Sequence, residues 1–369
     1  MRVKLKDITK FSKGTQINGK NLIDDGAYSY LNGGINPSGK WNEFNVAENT
    51  VTISEGGNSS GYVNYMNEAF WCGAHCYYLY DGPKNSKYLY YALKSQQERL
   101  FRIRSGACMP NIKKSDLGNF IIEYEEDETR QEEVVKVLEK CELLIEDYNK
   151  KLALLDEAVR ARFVEMFGDP LRNNMLWNIG LLKDICTKIG SGSTPRGGKE
   201  SYIDEGISLI RSMNVHNEYF EYKDLAHITL DQAEKLNNVV VEHDDVLFNI
   251  TGASVARCCV VPLDVLPARV NQHVCILRCR EKINPLFLHG LLVNENYQNK
   301  LLQIAKSGAT REAINKQQLE SLEIMLPPLK LQNQFASFVQ EVDKSRSRIQ
   351  KSLEVSQELF DSLMQEYFG

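Results

Sequence analysis

The sequence predicts a mixed α/β (α+β) protein. Two globular domains are separated by two long helices that pair as an antiparallel coiled coil, and the halves form an internal repeat about a pseudo-two-fold axis. Three observations predict this. Short motifs recur in the same order in both halves of the chain. Two charged segments carry apolar residues at heptad spacing. The composition, 43% apolar and 25% charged over 369 residues, is that of ordinary folded domains rather than of disorder.

The first block, 1–125, opens with Leu5-Lys6-Asp7-Ile8 and then Lys13-Gly14-Thr15. Short β-branched and aromatic runs at Thr50–Ser54 and Cys76–Tyr80 read as strands, and 87–101 reads as a helix. Polar turns punctuate them, at Gly33-Gly34-Ile35-Asn36-Pro37-Ser38-Gly39 and at Glu55-Gly56-Gly57-Asn58-Ser59-Ser60-Gly61.

The second block, 126–170, is the first helical spacer. Val134, Leu138, Cys141, Ile145, Tyr148, Leu152, Leu155 and Val159 alternate four and three residues apart, a heptad seam. No proline interrupts it, so thirty-odd residues can run as one helix of roughly 50 Å. The third block, 171–327, repeats the first: Leu182-Lys183-Asp184-Ile185 is followed by Gly190-Ser191-Gly192-Ser193-Thr194-Pro195. Strands are expected at 239–241, 246–251 and 273–277, and a helix at 285–305. Ser105-Gly106-Ala107, Ile112 and Leu117 return as Ser307-Gly308-Ala309, Ile314 and Leu319. The fourth block, 328–369, repeats the second at an offset of 201, with Phe335, Val339, Val342, Ile349, Leu353 and Phe360 on the seam and Arg346 and Ser356 interrupting it. Arg346 there is expected to fix helix register or to pair with an acid. Pairing of the two helices antiparallel would set the domains at opposite ends of a stiff rod and bring the chain ends together.

Charge is distributed unevenly. The net is −5 overall. By block it is +3, −6, −1 and −1, so the acid excess lies in the first helix. That helix will not lie along phosphate; it faces solvent or a basic protein partner. The nine cysteines are odd in number and unpaired in spacing, which fits a reducing, cytoplasmic setting. Cys72, His75 and Cys76 are too few for a structural zinc site, so no metal is expected. No apolar run reaches the ~20 residues of a membrane span, and the start has no signal-peptide core.

Catalytic motifs do not emerge. GxxxxGK[ST], GxGxxG and HExxH are missing, the one Pro-Pro is flanked by leucines rather than set as [DNS]PP[YFW], and no acid pair is followed by a nuclease lysine. The chain is therefore expected to be non-catalytic. Turns rich in Asn, Ser, Thr and Arg suit phosphates and base edges. The candidates in the first domain are Lys13, Thr15, Asn18, Asn32, Asn36, Asn58, Ser59, Ser60, His75, Arg104, Ser105 and Asn111. Those in the second are Ser191, Thr194, Arg196, Lys199, Arg211, Asn214, Thr251, Ser254, Arg257, Asn271, Gln272, His273, Ser307, Thr310 and Arg311.

The order and duplication of these motifs resemble the specificity subunit of a type I restriction-modification system. The resemblance rests on Glu165-Met166-Phe167-Gly168-Asp169-Pro170, Trp177 before Leu182-Lys183-Asp184-Ile185, the Gly190–Pro195 turn, and Leu326-Pro327-Pro328-Leu329 before Gln332. It covers essentially the whole chain. It implies two target-recognition domains, each reading one half of a split, asymmetric site in double-stranded DNA, with the coiled coil setting the gap. It also implies two adenine-methyltransferase (modification) subunits as partners, which would carry S-adenosylmethionine, so that no cofactor belongs to this chain. An ATP-dependent restriction subunit is a further candidate partner. Two departures stand out: Ile121-Ile122-Glu123-Tyr124 replaces the Pro-Pro in the first copy, so the first helix should begin less sharply, and Gly14-Thr15 is followed by Gln16 rather than proline. A coiled-coil scaffold joining two protein-binding domains is the alternative, and a self-sufficient DNA-modifying enzyme is disfavoured by the missing motifs.

Overall fold

The computed structural model describes residues 1–369 apart from 107–108, 196 and 307–311. The chain divides into two compact units, Met1–Lys150 with Gln350–Gly369, and Lys151–Ile349.

In the first unit, strand Arg2–Lys4 pairs antiparallel with Ile121–Glu123, so the domain's opening and closing strands lie side by side. The one-turn helix Leu5–Ile8 follows, with Leu5 buried and its N–H donating to Phe120 O at 2.9 Å. The main sheet is antiparallel, in the order Lys10–Lys13, Cys76–Tyr80, Thr50–Ser54, Val63–Met66. A second sheet holds Gly39–Trp41, Tyr28–Leu31 and Phe70–Cys72, the last two parallel. Helix Ser86–Lys94 is capped by Asn85, whose side chain accepts from Tyr88 N–H at 3.0 Å, satisfying an orphan donor of the first turn.

The second unit repeats the plan. Asn178–Leu181 pairs with Glu323–Leu326, and Leu182 N–H donates to Leu322 O at 2.8 Å. The antiparallel sheet runs Cys186–Ser191, Val274–Cys279, Val246–Asn249, Cys258–Val260. The second sheet runs Ala226–Ile228, Ile207–Ile210, Ala268–Val270, Val240–Val241, again with one parallel pair, Ile207–Ile210 beside Ala268–Val270. Helix Pro285–Val293 is capped by Asn284, with proline at its first position. The added residues of this copy supply Val240–Val241 and the short helix Leu230–Glu234.

Three expected elements differ. The 87–101 helix is two, Ser86–Lys94 and Gln97–Arg102. The 285–305 helix is also two, Pro285–Val293 and Glu295–Lys306. Asn294 breaks it by turning extended (ψ 133°), and its side chain accepts from Asn296 N–H at 3.1 Å to start the next. Val239 closes a 3-10 turn, so that strand is only Val240–Val241.

The two long helices are Glu128–Phe167 and Leu329–Phe368, 40 residues each. At 1.5 Å per residue each spans about 60 Å. The first starts as sharply as the second. Asp127 accepts from Thr129 N–H at 2.9 Å, doing the work of the absent Pro-Pro. Just inside each helix a buried glutamine ties it to the chain that leads in: Gln131 donates to Glu125 O at 2.6 Å, Gln332 to Pro327 O at 2.8 Å.

Exposure along both helices follows a four-three rhythm. Val134, Leu138, Cys141, Phe335, Val339 and Val342 are buried, and Ile145, Tyr148, Leu152, Leu155, Val159, Ile349, Leu353 and Phe360 are half-buried, as are Arg346 and Ser356. In the first unit the start of one helix packs with the end of the other: Val134 and Leu138 share a core with Met364 and Phe368, and Phe368 lies 5.2 Å from the Tyr88 ring. In the second unit the end of the first packs with the start of the second: Phe163 and Phe167 meet Phe335 at 5.5 and 5.6 Å. The pairing is therefore antiparallel. Each buried phenylalanine contributes about 1.5–3 kcal/mol, so these rings help to attach helix to domain.

Candidate functional site

One feature of the backbone recurs in both units at the same end of the main sheet. Gly14 follows the first sheet strand in one unit, and Gly192 follows it in the other. A Cβ at either would stand 1.8 Å from a carbonyl oxygen, that of Cys72 or of Val270, so only glycine fits. Each donates its N–H across the crossing, Gly14 to Gly73 O at 3.2 Å and Gly192 to Asn271 O at 3.0 Å. His75 and His273 are the residues before the equivalent strands Cys76–Tyr80 and Val274–Cys279. Their carbonyls accept from Glu55 N–H at 2.8 Å and from Ile250 N–H at 2.9 Å. The carbonyls of Glu55 and Ile250 accept in turn from Ile112 and Ile314, both at 2.9 Å. Gly57 donates to Pro110 O and Gly252 to Glu312 O, again both at 2.9 Å. Loops far apart in sequence are thus laced at one place, identically in the two units.

The side chains on this shared frame differ. In the second unit they form a chain of hydrogen bonds: Thr194 donates to Gln272 Oε1, Gln272 Nε2 lies 3.0 Å from His273 Nε2, and His273 Nδ1 lies 2.6 Å from Thr251 Oγ1. Beside it opens a concavity of about 540 Å³ whose lining includes Ser212, Thr251, Ser254, Arg257 and His273. In the first unit the frame is charged. Lys13 Nζ lies 2.7 Å from Glu55 Oε1, and His75 Nδ1 faces the other carboxylate oxygen at 3.5 Å. Asn32 accepts from His75 N–H at 3.3 Å, Ser59 donates to Gly33 O at 2.5 Å, and Arg104 donates to Asn58 O at 3.2 Å while lying over Phe101. Ser105 and Asn111 pair through backbone and side chain. Thr15 is held beside this group, its carbonyl accepting from Trp71 Nε1 at 2.7 Å.

Other candidates lie elsewhere. Asn18 caps the turn Gly19–Asn21, and Asn36 is exposed on its own loop. Ser191 is half-buried at a strand end and Lys199 exposed in the turn Gly198–Ser201. Arg211 lies over Tyr202 and donates to Asp224 O. Ser60, Asn214 and Asn271, expected on the surface, are instead buried, and their side chains hold backbone. Ser60 donates to Glu55 O at 2.8 Å, Asn214 donates to Glu221 O and accepts from Arg211 N–H, and Asn271 accepts from His273 N–H. They shape the loops. Arg196, Ser307, Thr310 and Arg311 lie outside the described residues.

Glu55 was missed by sequence reasoning, which sought cations and amides; its signal was its place at the head of a Gly-Gly turn. Cys72 and Cys76 are buried, their mutual hydrogen bond and burial holding the Cys72 thiol far above its ordinary range, while His75 is exposed toward Glu55. Among the described residues no three His, Cys, Asp or Glu side chains are grouped to hold a metal, and no helix is long and apolar enough to cross a membrane. What the two frames offer is a mixture of amide, hydroxyl, imidazole and cationic donors and acceptors, the groups that pair with base edges and phosphates.

Comparison with known proteins adds three findings. The family model of the type I restriction modification DNA specificity domain matches residues 1–156 and again 174–357. A Mycoplasma pneumoniae protein assigned as a type I specificity subunit is 36% identical over 210 residues, 54% of this chain and 55% of that protein. One from Mycoplasma genitalium is 34% identical over 163 residues, 40% of this chain and 42% of that protein. The chain thus spans about half the length of the curated relatives it matches. The crystal structure of a type I restriction-modification S subunit from M. genitalium has the same fold, with a TM-score of 0.70 at 19% identity, covering 100% of this chain and 96% of that one.

Proposed function

The chain belongs to the type I restriction-modification DNA specificity family, with two copies of its domain, and from that premise we propose how it works. It is a non-catalytic DNA-reading subunit of an adenine methyltransferase/endonuclease complex. The domains 1–125 and 171–327 each read one half of a bipartite, asymmetric site in double-stranded DNA. The helical spacers 126–170 and 328–369 set the gap and dock two modification subunits, which carry S-adenosylmethionine. Both domains act in the cytoplasm.

One observation carries this reading: a single backbone frame holds two different side-chain sets, Lys13, Glu55 and His75 in one unit and Thr194, Gln272, His273 and Thr251 in the other. Equal frames present their ligand sets equivalently, and unequal side chains select different bases. An asymmetric, two-part site is the consequence. The test is co-expression with the modification subunit in a methylation-free host, with methylated adenines mapped by single-molecule sequencing. The expected result is one split motif with a modified adenine in each half. A continuous or symmetric motif would refute the two-reader assignment.

A further inference from the structure

The internal repeat allows one place to be compared in both units: the angle between the long helices and the helix that starts Asn-Ser or Asn-Pro. In the first unit this place is full. Lys87, second residue after the Asn85 cap, projects its ammonium over three rings, Tyr65 at 4.5 Å, Tyr90 at 5.3 Å and Tyr91 at 5.5 Å. Glu142 of the long helix lies 3.6 Å from it and also accepts from Tyr91 Oη at 2.5 Å.

In the second unit the cap is Asn284, Leu286, His289, Gly290 and Asp343 stand where Lys87, Tyr90, Tyr91 and Glu142 stand in the first, and Val260 holds the strand position of Tyr65. The lysine, two of the rings and their hydroxyls are gone, and a cavity of about 650 Å³ remains. Its walls are apolar, with Val159, Phe163, Phe220, Val260, Leu286 and Val339 among them. Its charged lining comprises five carboxylates, Asp156, Glu157, Glu218, Glu295 and Asp343, against two guanidinium groups, Arg160 and Arg346. Both arginines are already engaged, Arg160 with Glu218 and Arg346 with Asp156 and Asp343. The cavity therefore has room, an apolar wall and surplus negative charge. A long stem ending in a cation matches all three, because a lysine buries its methylenes against apolar surface and sets its ammonium beside carboxylates.

We propose that this cavity receives a lysine side chain from a protein partner, in the place that Lys87 fills internally in the first unit. The proposal rests on the reading above only for the partner's identity, the modification subunit. It makes the two halves of the chain unequal: one helix–domain angle is closed by the chain itself, the other is completed in trans.

The test has two arms on the full chain. In the first, n-butylammonium, which has the stem and charge of lysine, is titrated against ¹³C-methyl-labelled protein. Saturable shifts are expected at Val159, Val260, Leu286 and Val339, weaker with n-butanol, and lost by about tenfold or more in Leu286→Lys, which restores the internal cation. Leu286→Met should retain them, and both variants should melt as the parent does. In the second arm Leu286→Lys should bind the modification subunit with reduced stoichiometry while Leu286→Met does not. Absent or variant-insensitive shifts, or unaltered assembly of Leu286→Lys, would overturn the proposal. Butylammonium binding without assembly of even the parent chain would confirm the cavity's chemistry and sink both the partner and the functional reading.

Discussion

Arg346 on the second long helix forms an ion pair with Asp156 on the first, in the middle of a mostly apolar seam. Asp343, one turn before it, approaches the same guanidinium at 3.6 Å. Both partners of the pair are about a third exposed, so solvent screens it. Asp156→Ala is expected to lower the unfolding free energy by about 1 kcal/mol. The double change Asp156→Leu with Arg346→Leu should be at least as stable as the parent, because a well-packed apolar pair matches a paired charge. Urea denaturation decides this; a double variant weaker than Asp156→Ala would show that the pair acts through stability and not register.

Gly192 and Gly14 cross a neighbouring backbone too closely for any side chain. Gly192→Ala and Gly14→Ala should each destabilise the chain by on the order of 3 kcal/mol or more, since the obstacle is backbone that cannot swing aside. Gly19→Ala, which meets nothing within 4 Å, should stay within about 0.5 kcal/mol. Equal melting of all three would contradict the crossing.

Gln272 sits between Thr194 and His273, exposed at the mouth of the second unit's frame. Gln272→Ala should leave folding intact and weaken discrimination at one half-site by about 1–3 kcal/mol, the range of one good side-chain–base pair. Lys13→Ala should alter only the other half. Competition gel shifts with each half-site scrambled in turn check this; the opposite pattern, or none, would overturn it.

His289 Nε2–H donates to Cys258 O at 3.2 Å, and burial pushes its pKa from 6.5 down to about 4. The folded chain therefore resists protonation that the unfolded chain accepts. Its contribution to stability is fully present above about pH 6.5 and declines as pH falls from there toward 4, by at most about 3 kcal/mol. His289→Gln should flatten that stretch of the stability–pH curve. An unchanged slope would assign it to other groups.

The seam was legible in the sequence because a four-three rhythm is local, and Val134 through Val159 carry it without interruption. The repeat was legible because Leu5-Lys6-Asp7-Ile8 and Leu182-Lys183-Asp184-Ile185 survive intact. Strand order was not, because Tyr28–Leu31 beside Phe70–Cys72 is a pairing across the domain that no local pattern announces. The helix breaks at Gln96 and Asn294 were hidden by apolar residues that continue on both sides. At the site, order along the chain identified His75 and His273, but a polar residue holding backbone reads like one facing solvent. Ser60, Asn214 and Asn271 were indistinguishable from Ser59 and Gln272 until burial separated them. The Lys87 cage and its unfilled counterpart needed three dimensions, since Tyr65 and Glu142 reach Lys87 from other elements.

The second unit is one uninterrupted stretch, Lys151–Ile349, whereas the first needs Gln350–Gly369 to close over Met1–Lys150. Synthesis runs from the first residue, and domains fold as units while they emerge. The half made first is thus finished last. Until Met364 and Phe368 leave the ribosome, Val134, Leu138 and Tyr88 have no cover from that side. By then the second unit is whole, so the nascent chain matures from its middle outward, and chaperone demand should concentrate on its opening domain.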